Sequence, residues 1–218
     1  AIVAPQSVAA GTAFITSTFT NGKTFVYKMK NATDWQAGGE YTYTVSLAAA
    51  KGYIIEDDGS YTVTSADGLM NIAELVNGGK SNINITLDTD IDLTGKDWTP
   101  IGTDYDNSYK GTFDGGGHTI TGLTFTTNDE FAGLFGWLNR AGTVKNVVME
   151  GVQITSNQIY GGSIGGVVGY SWGTIENCSV SGSVSGTVYV GGVVGAQIGG
   201  SITGCSSSAT VKGTINVG

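Results

Sequence analysis

Apolar residues in the C-terminal half of the chain recur in short alternating runs punctuated by glycine. GGVVG opens at Gly165 and again at Gly191, a period of 26. Each copy leads into a second pattern, Ile175-x-x-Cys178-x-Val180 and then Ile202-x-x-Cys205-x-Ser207. Weaker copies lie upstream: Val144-x-x-Val147-x-Met149 after AGLFG (132–136), and Ile120-x-x-Leu123-x-Phe125 after GTFDGGGHT. From Ile120 to Val144, Ile175 and Ile202 the steps are 24, 31 and 27 residues, a spacing that belongs to solenoids, propellers or arrays. Alternation marks half-buried strands, and about 25 residues are too few for a propeller blade, which needs ~40–45. The unit suits one coil of a right-handed parallel β-helix, with strands of successive coils stacked ~4.8 Å apart. Two internal ladders are expected, one of Ile120, Val144, Ile175 and Ile202, the other of Leu123, Val147, Cys178 and Cys205.

Residues 1–55 follow a different pattern. FITSTF (14–19), FVYKMK (25–30) and EYTYTVSLA (40–48) alternate and are rich in aromatics, and Asn21-Gly22 and Ala37-Gly38-Gly39 separate them. Asn-Gly between alternating runs signals a hairpin. A small antiparallel sheet with one apolar face, a partial β-sandwich, is predicted here. The solenoid is assigned to residues 56–218, entered through the polar turn Glu56-Asp57-Asp58-Gly59-Ser60 within a linking stretch, 51–64. One helix is predicted, over 65–78, with Ser65 as N-cap, Asp67 in the first turn and Asn77-Gly78-Gly79 as the stop. Leu69, Ile72, Ala73 and Val76 form its apolar stripe, which reads as a cap over the first coil, since solenoids shield their ends. INITLDTDIDL (83–93) and the WTPIG corner (98–102) then begin the coils. The run ends at GTINVG, where another GGVVG would start, so the array either stops uncapped or is cut there.

The stretch GGVVG…GTIENCSVSGSVSG resembles the GLUG repeat, found in large bacterial surface proteins including adhesins and some secreted peptidases. The resemblance covers roughly residues 90–218. It implies surface exposure and a β-solenoid, and it implies no reaction. APQSVAAGTAFI…GGEYTYTVSL resembles the closing part of fimbrillin-like domains, the β-sandwich subunits of surface pili in anaerobic Gram-negative bacteria. That likeness begins in the middle of the domain, so the N-terminal strands of the sandwich are expected to be missing.

Composition narrows the function classes. Only 13% of residues are charged while 36 are glycine, which fits a Gly-turned β array. A net charge of −8 and a pI near 4.4 argue against nucleic acid, whose phosphates need a basic patch, and disfavour an anionic membrane surface. No apolar run approaches the ~18 residues that span a bilayer. No basic residue precedes Lys23, so the start is not an intact signal peptide and reads as a trimmed, mature chain. Stacking sets Cys178 and Cys205 on adjacent coils, within Cα reach of a disulfide. Their Cβ atoms should point inward in parallel, which favours unbridged thiols.

Candidate chemistry is sparse. Asp88, Asp90 and Asp92 spell D-x-D-x-D, but the EF-hand's Gly and Glu positions are Leu93 and Thr99. Alternation instead turns Asp90 and Asp92 to solvent and Ile91 and Leu93 to the core. Asp104, Asp106 and Asn107 form a loop whose cation-ligating role ranks below a structural one. His118, the only histidine, reads as a corner residue, because no spacing selects a nucleophile beside it. Asp114 is expected to stand alone opposite Gly136, Gly169 and Gly195, without the second carboxylate of a glycosidase. No catalytic residue, cofactor or metal is assigned. Aromatics are the better lead: Trp137 and Tyr170 each follow the Gly that closes an apolar run, Trp172 lies two residues on, and Tyr105 and Tyr109 decorate an earlier loop. These five are the candidate binding residues, able to stack on sugar faces or anchor a protein.

The chain therefore reads as a secreted, non-enzymatic protein of the bacterial cell surface, attached to the outer membrane in its full-length form. Its expected role is adhesin or fimbria-associated binding module, with a host glycan or protein, or sister surface subunits, as partner. The competing readings are an accessory module of a larger secreted enzyme such as a peptidase, and a polysaccharide-binding or polysaccharide-active β-helix.

Overall fold

The computed structural model describes residues 6–18, 24–29, 32–38 and 51–218. The chain divides into two compact units, Ala1–Ala50 and Lys51–Gly218. In the first unit Gln6–Val8 pairs antiparallel with Thr33–Trp35, and Ala13–Thr18 pairs antiparallel with Thr24–Lys28. The second pair is the hairpin expected from FITSTF and FVYKMK. Met29 and Trp35 are buried. The Asn21-Gly22 turn and the EYTYTVSLA strand lie outside the described residues.

The second unit is an all-β solenoid built from parallel ladders. Tyr61, Ile85, Phe113, Val144, Ile175 and Ile202 stack in register along one sheet. Ile91, Ile120, Met149, Val180 and Ser207 stack along a second. Ala132, Ile164, Val190 and Val217 form a third ladder, and Phe135, Val168 and Val194 a fourth. Period-2 alternation sends these residues inward, and Phe113, Ile120, Val144, Ile164 and Ile175 are almost completely buried. Burying one such side chain stabilises the fold by ~1.5–3 kcal/mol, so the core lies along the axis rather than in one spot.

Two ladders differ from the sequence expectation. Phe113, not Ile120, precedes Val144 and Ile175, and Leu123 stacks next to Val152 rather than Val147, one position before the Thr124–Gln153 pair. The cause is a longer corner. Phe113 and Ile120 are seven positions apart, whereas Val144 and Met149, and Ile175 and Val180, are five apart. The turn Gly115–His118, closed by His118 N donating to Gly115 O at 2.9 Å, takes up the extra residues. Val147, Cys178 and Cys205 do stack as expected, since Ser179 N donates to Val147 O and Ser206 N to Cys178 O. Both thiols are free. The next corner residues, Asn146 and Asn177, hold positive φ of 54° and 52°, a region asparagine tolerates better than other side chains.

The entry to the solenoid differs too. Residues 51–64 are not a linker: Tyr53–Ile55 and Tyr61–Val63 form an antiparallel hairpin, and Tyr61–Val63 pairs parallel with Ile85–Leu87. The polar cluster turns this hairpin, with Asp58 Oδ1 accepting from Ser60 N at 2.9 Å. The helix spans Ala66–Asn77, capped by Ser65 Oγ, which accepts from Gly68 N at 3.1 Å. Its stripe of Leu69, Ile72, Ala73 and Val76 is buried. Gly68 lies against the Gly52 carbonyl so closely that an added Cβ would stand 1.7 Å from that oxygen, so only glycine fits. The far end is tied by Asn77, which donates to Pro100 O at 3.0 Å and accepts from Gly102 N at 2.8 Å. The helix thus closes over the first coil.

Candidate functional site

Trp137 stands half-buried on its strand between Phe135 and Leu138, which are both completely buried. The same holds one coil later for Tyr170, and the register pairs Trp137 with Tyr170 and Tyr170 with Ala196. The two rings meet with centroids 4.4 Å apart at 51°. Tyr105, 70% exposed, meets Trp137 edge-on at 5.8 Å and 79°. Phe131 supports the group from beneath, 4.7 Å from Trp137 and 5.3 Å from Tyr170. Such tilted and edge-on pairs add ~0.5–1.5 kcal/mol beyond burial, so the cluster is a pre-formed surface rather than four independent rings.

Of the five candidate aromatics, Tyr105, Trp137 and Tyr170 come together. Trp172 lies against Arg140, whose Cζ is 5.4 Å from its ring centroid. Tyr109 is a correction. It is completely buried, packs against Phe135 at 5.3 Å, and donates its hydroxyl to Ile83 O at 2.9 Å. A bridge to Leu138 turns it inward, and burial pushes its phenol above the usual range, so it belongs to the core. Phe131 was missed because it precedes the AGLFG run and so lies outside the repeat template. Its only sequence signal is an aromatic directly following Asp129-Glu130.

Asp90, Asp104 and Asp114 are engaged in structure. Asp90 accepts from Thr119 N at 2.9 Å and lies 3.3 Å from His118 Nδ1. The Thr119 amide, and then His118, hold its carboxyl below the usual range. Asp90 and Asp92 face solvent while Ile91 and Leu93 are buried. Asp104 is satisfied within its own loop by Asn107 N at 3.0 Å, the Asn107 side-chain amide and Thr103 Oγ1, and these bonds, the Asn107 backbone N–H first, lower its pKa. Asp114 is a further correction: its register partners are Thr86 and Lys145, with Glu176 next in the row, not glycines. It pairs with Lys145 at 3.2 Å and accepts from Asn146 at 2.9 Å and Gly116 N at 2.9 Å. Partial burial works to raise its pKa, but those bonds outweigh it and hold the carboxyl below the usual range. A general acid needs the opposite shift. Among the described residues no group of three or more His, Cys, Asp or Glu side chains is placed to hold a metal.

The second unit is thus a repeat solenoid with an aromatic cluster of Tyr105, Phe131, Trp137 and Tyr170, and comparison with known proteins shows what the chain resembles. Residues 1–56 match the fimbrillin-like family, and residues 160–185 and 186–212 each match the GLUG motif. The chain thus carries two GLUG motifs behind a fimbrillin-like segment. It is 30% identical over 207 residues to halomucin of Haloquadratum walsbyi, covering 85% of this chain and 2% of that protein. It is 33% identical over 129 residues, 55% of this chain and 14% of the relative, to a protein of Evansella cellulosilytica described as a Gly-rich membrane protein. A crystal structure from Bacteroides ovatus assigned as an immunoglobulin A1 protease matches with a TM-score of 0.60 and 27% identity, over 71% of this chain and 48% of that one. The chain spans only a small part of the length of its sequence relatives, and under half of the crystallised chain. The fimbrillin-like segment, the GLUG motifs and these sequence relatives together point to a cell-surface protein.

Proposed function

We propose that this chain is a non-enzymatic binding module of a cell-surface protein, acting in adhesion or in the assembly of surface structures. The observation that carries the reading is the in-register stack of Trp137 on Tyr170, extended by the exposed Tyr105. It offers apolar ring area with polar edges on a rigid scaffold, the property that makes Tyr and Trp interface anchors. Affinity then comes from an extended face, and display in many copies multiplies it by effective concentration. The fimbrillin-like segment supports partners among sister surface subunits, and the exposed Tyr105 with the half-buried Trp137 and Tyr170 supports a host glycan or protein. Secretion and outer-membrane attachment of the full-length protein belong to the same reading. The test is attachment of protein-coated beads to host cells and extracellular matrix. Wild-type beads attach, and beads carrying Tyr105→Ala/Trp137→Ala/Tyr170→Ala detach; equal attachment by both would sink the proposal.

A second reading, an accessory module of a larger secreted peptidase, is favoured by the likeness to the Bacteroides ovatus structure. Under it this chain positions a substrate for catalytic parts elsewhere. Cleavage of immunoglobulin A1 by this chain alone would overturn the non-enzymatic reading in both forms.

A further inference from the structure

In a solenoid every strand is flanked by the coil before and the coil after. Thr124–Thr127 breaks that pattern: its ladder partner is Val148–Ser156 of the following coil, and no strand of the preceding coil pairs with it. The reason lies at Gly95. The preceding coil runs alongside as far as Thr94, which abuts Gly122. Gly95 then takes φ of 71° and Lys96 N bonds back to Leu93 O at 3.0 Å, so the chain turns away. Between the departing segment 96–100 and the strand 124–127 lies a cleft of about 390 Å³, within the ~300–1,000 Å³ range of ligand sites.

Alternation fixes which backbone groups face it. Leu123 O and Thr127 O accept from Gln153 N and Asn157 N of the following coil, each at 2.9 Å. Residues one position away point their N–H and C=O groups to the opposite edge. Thr124 and Thr126 therefore present two donors and two acceptors to the cleft. Unpaired edge groups of this kind template another strand. The walls add charge: Asp97 and Asp129 line the cleft, while the cation there, Lys96, is held by Asp67 at 2.8 Å. The Asp97 carboxylate has no partner among the described residues.

We propose that this slot accepts an extended, neutral-to-basic peptide segment of a partner protein as an added strand, paired through the backbone of Thr124 and Thr126. Main-chain hydrogen bonds supply the affinity, as in other strand additions, and Asp97 and Asp129 select against acidic segments. The site is separate from the aromatic cluster and stands or falls independently of the attachment reading.

The test begins with amide hydrogen exchange in the free protein. Thr124 and Thr126 amides exchange at least tenfold faster than those of Phe125 and Thr127; equal protection would mean the slot is already filled and would overturn the proposal. The second arm titrates a synthetic heptapeptide of alternating valine and threonine with lysine at each end. Expected are slowed exchange at Thr124 and Thr126, a tenfold loss of affinity when alternate peptide amides are N-methylated, and a several-fold loss in Asp97→Asn/Asp129→Asn, which leaves the fold intact. No binding at millimolar peptide, or binding indifferent to N-methylation, overturns it. A partner captured only through sugar, with binding abolished by glycosidase treatment and exchange at Thr124 and Thr126 unchanged, also counts against it.

Discussion

Trp137 and Tyr170 stand one coil apart in the same register, with ring centroids 4.4 Å apart, so neither ring is presented without the other. Their contributions to binding should not add. Alanine at either position is expected to cost most of what the double substitution costs, with a coupling of about 0.5–1.5 kcal/mol in a double-mutant cycle. Strict additivity would mean that the rings act separately.

The inward ladder makes stability depend on coil position. Ile175 is fully buried whereas Ile202, its register partner, is 45% exposed. Ile175→Ala should destabilise by ~2–5 kcal/mol, transfer and cavity costs together, and Ile202→Ala by well under half of that. Urea denaturation of both variants checks the gradient, and equal losses would contradict the stacking order.

Ser65 supplies one of the bonds that hold the helix over the first coil. Ser65→Ala should cost about 1 kcal/mol of stability, read as a lower urea midpoint at unchanged slope. An unchanged midpoint would show that Gly68 N finds another partner.

Acid sensitivity follows from Asp114. Its folded pKa is depressed below the ordinary value of 3.8, against the effect of burial, by bonds from Asn146, Gly116 and Lys145. The stability it contributes is therefore complete above that ordinary value and is lost as pH falls through the lower folded value. Asp114→Asn should flatten the fall in stability below about pH 4. A variant as acid-sensitive as the parent would place the effect elsewhere.

Cys178 is 1% exposed, and burial pushes its thiol up to about 12. At pH 8 it stays protonated and unreactive. Iodoacetamide should label it only after unfolding, as peptide mass mapping would show, and rapid labelling in the folded protein would contradict its place in the ladder.

Much of this was legible in the chain because the repeat carries its own register. The Ile-x-x-Cys pattern places Val144, Ile175 and Ile202 in one ladder and Val147, Cys178 and Cys205 in another, and the helix stripe from Leu69 to Val76 emerges where its period puts it. Errors arise where the period changes. The longer corner at Gly115–His118 makes Ile120 imitate the position that Phe113 holds, and so hides that Asp114 belongs to the Lys145–Glu176 row. Tyr109 sits among polar residues and looks like surface, yet its bridge to Leu138 turns it inward. The hairpin from Tyr53 to Val63 was hidden by its acidic turn. The slot beside Thr124–Thr127 has no sequence signal beyond Gly95, since it arises from a strand the preceding coil does not supply.

The measurement closest to the central claim is equilibrium binding of the intact chain to an array of glycans and extracellular-matrix proteins. The Tyr105→Ala/Trp137→Ala/Tyr170→Ala variant runs alongside, with its melting temperature as a control for folding. The account predicts binding to at least one target by the parent chain and a loss of tenfold or more in the folded variant. Binding that the variant retains in full, or silence on every target, would contradict it.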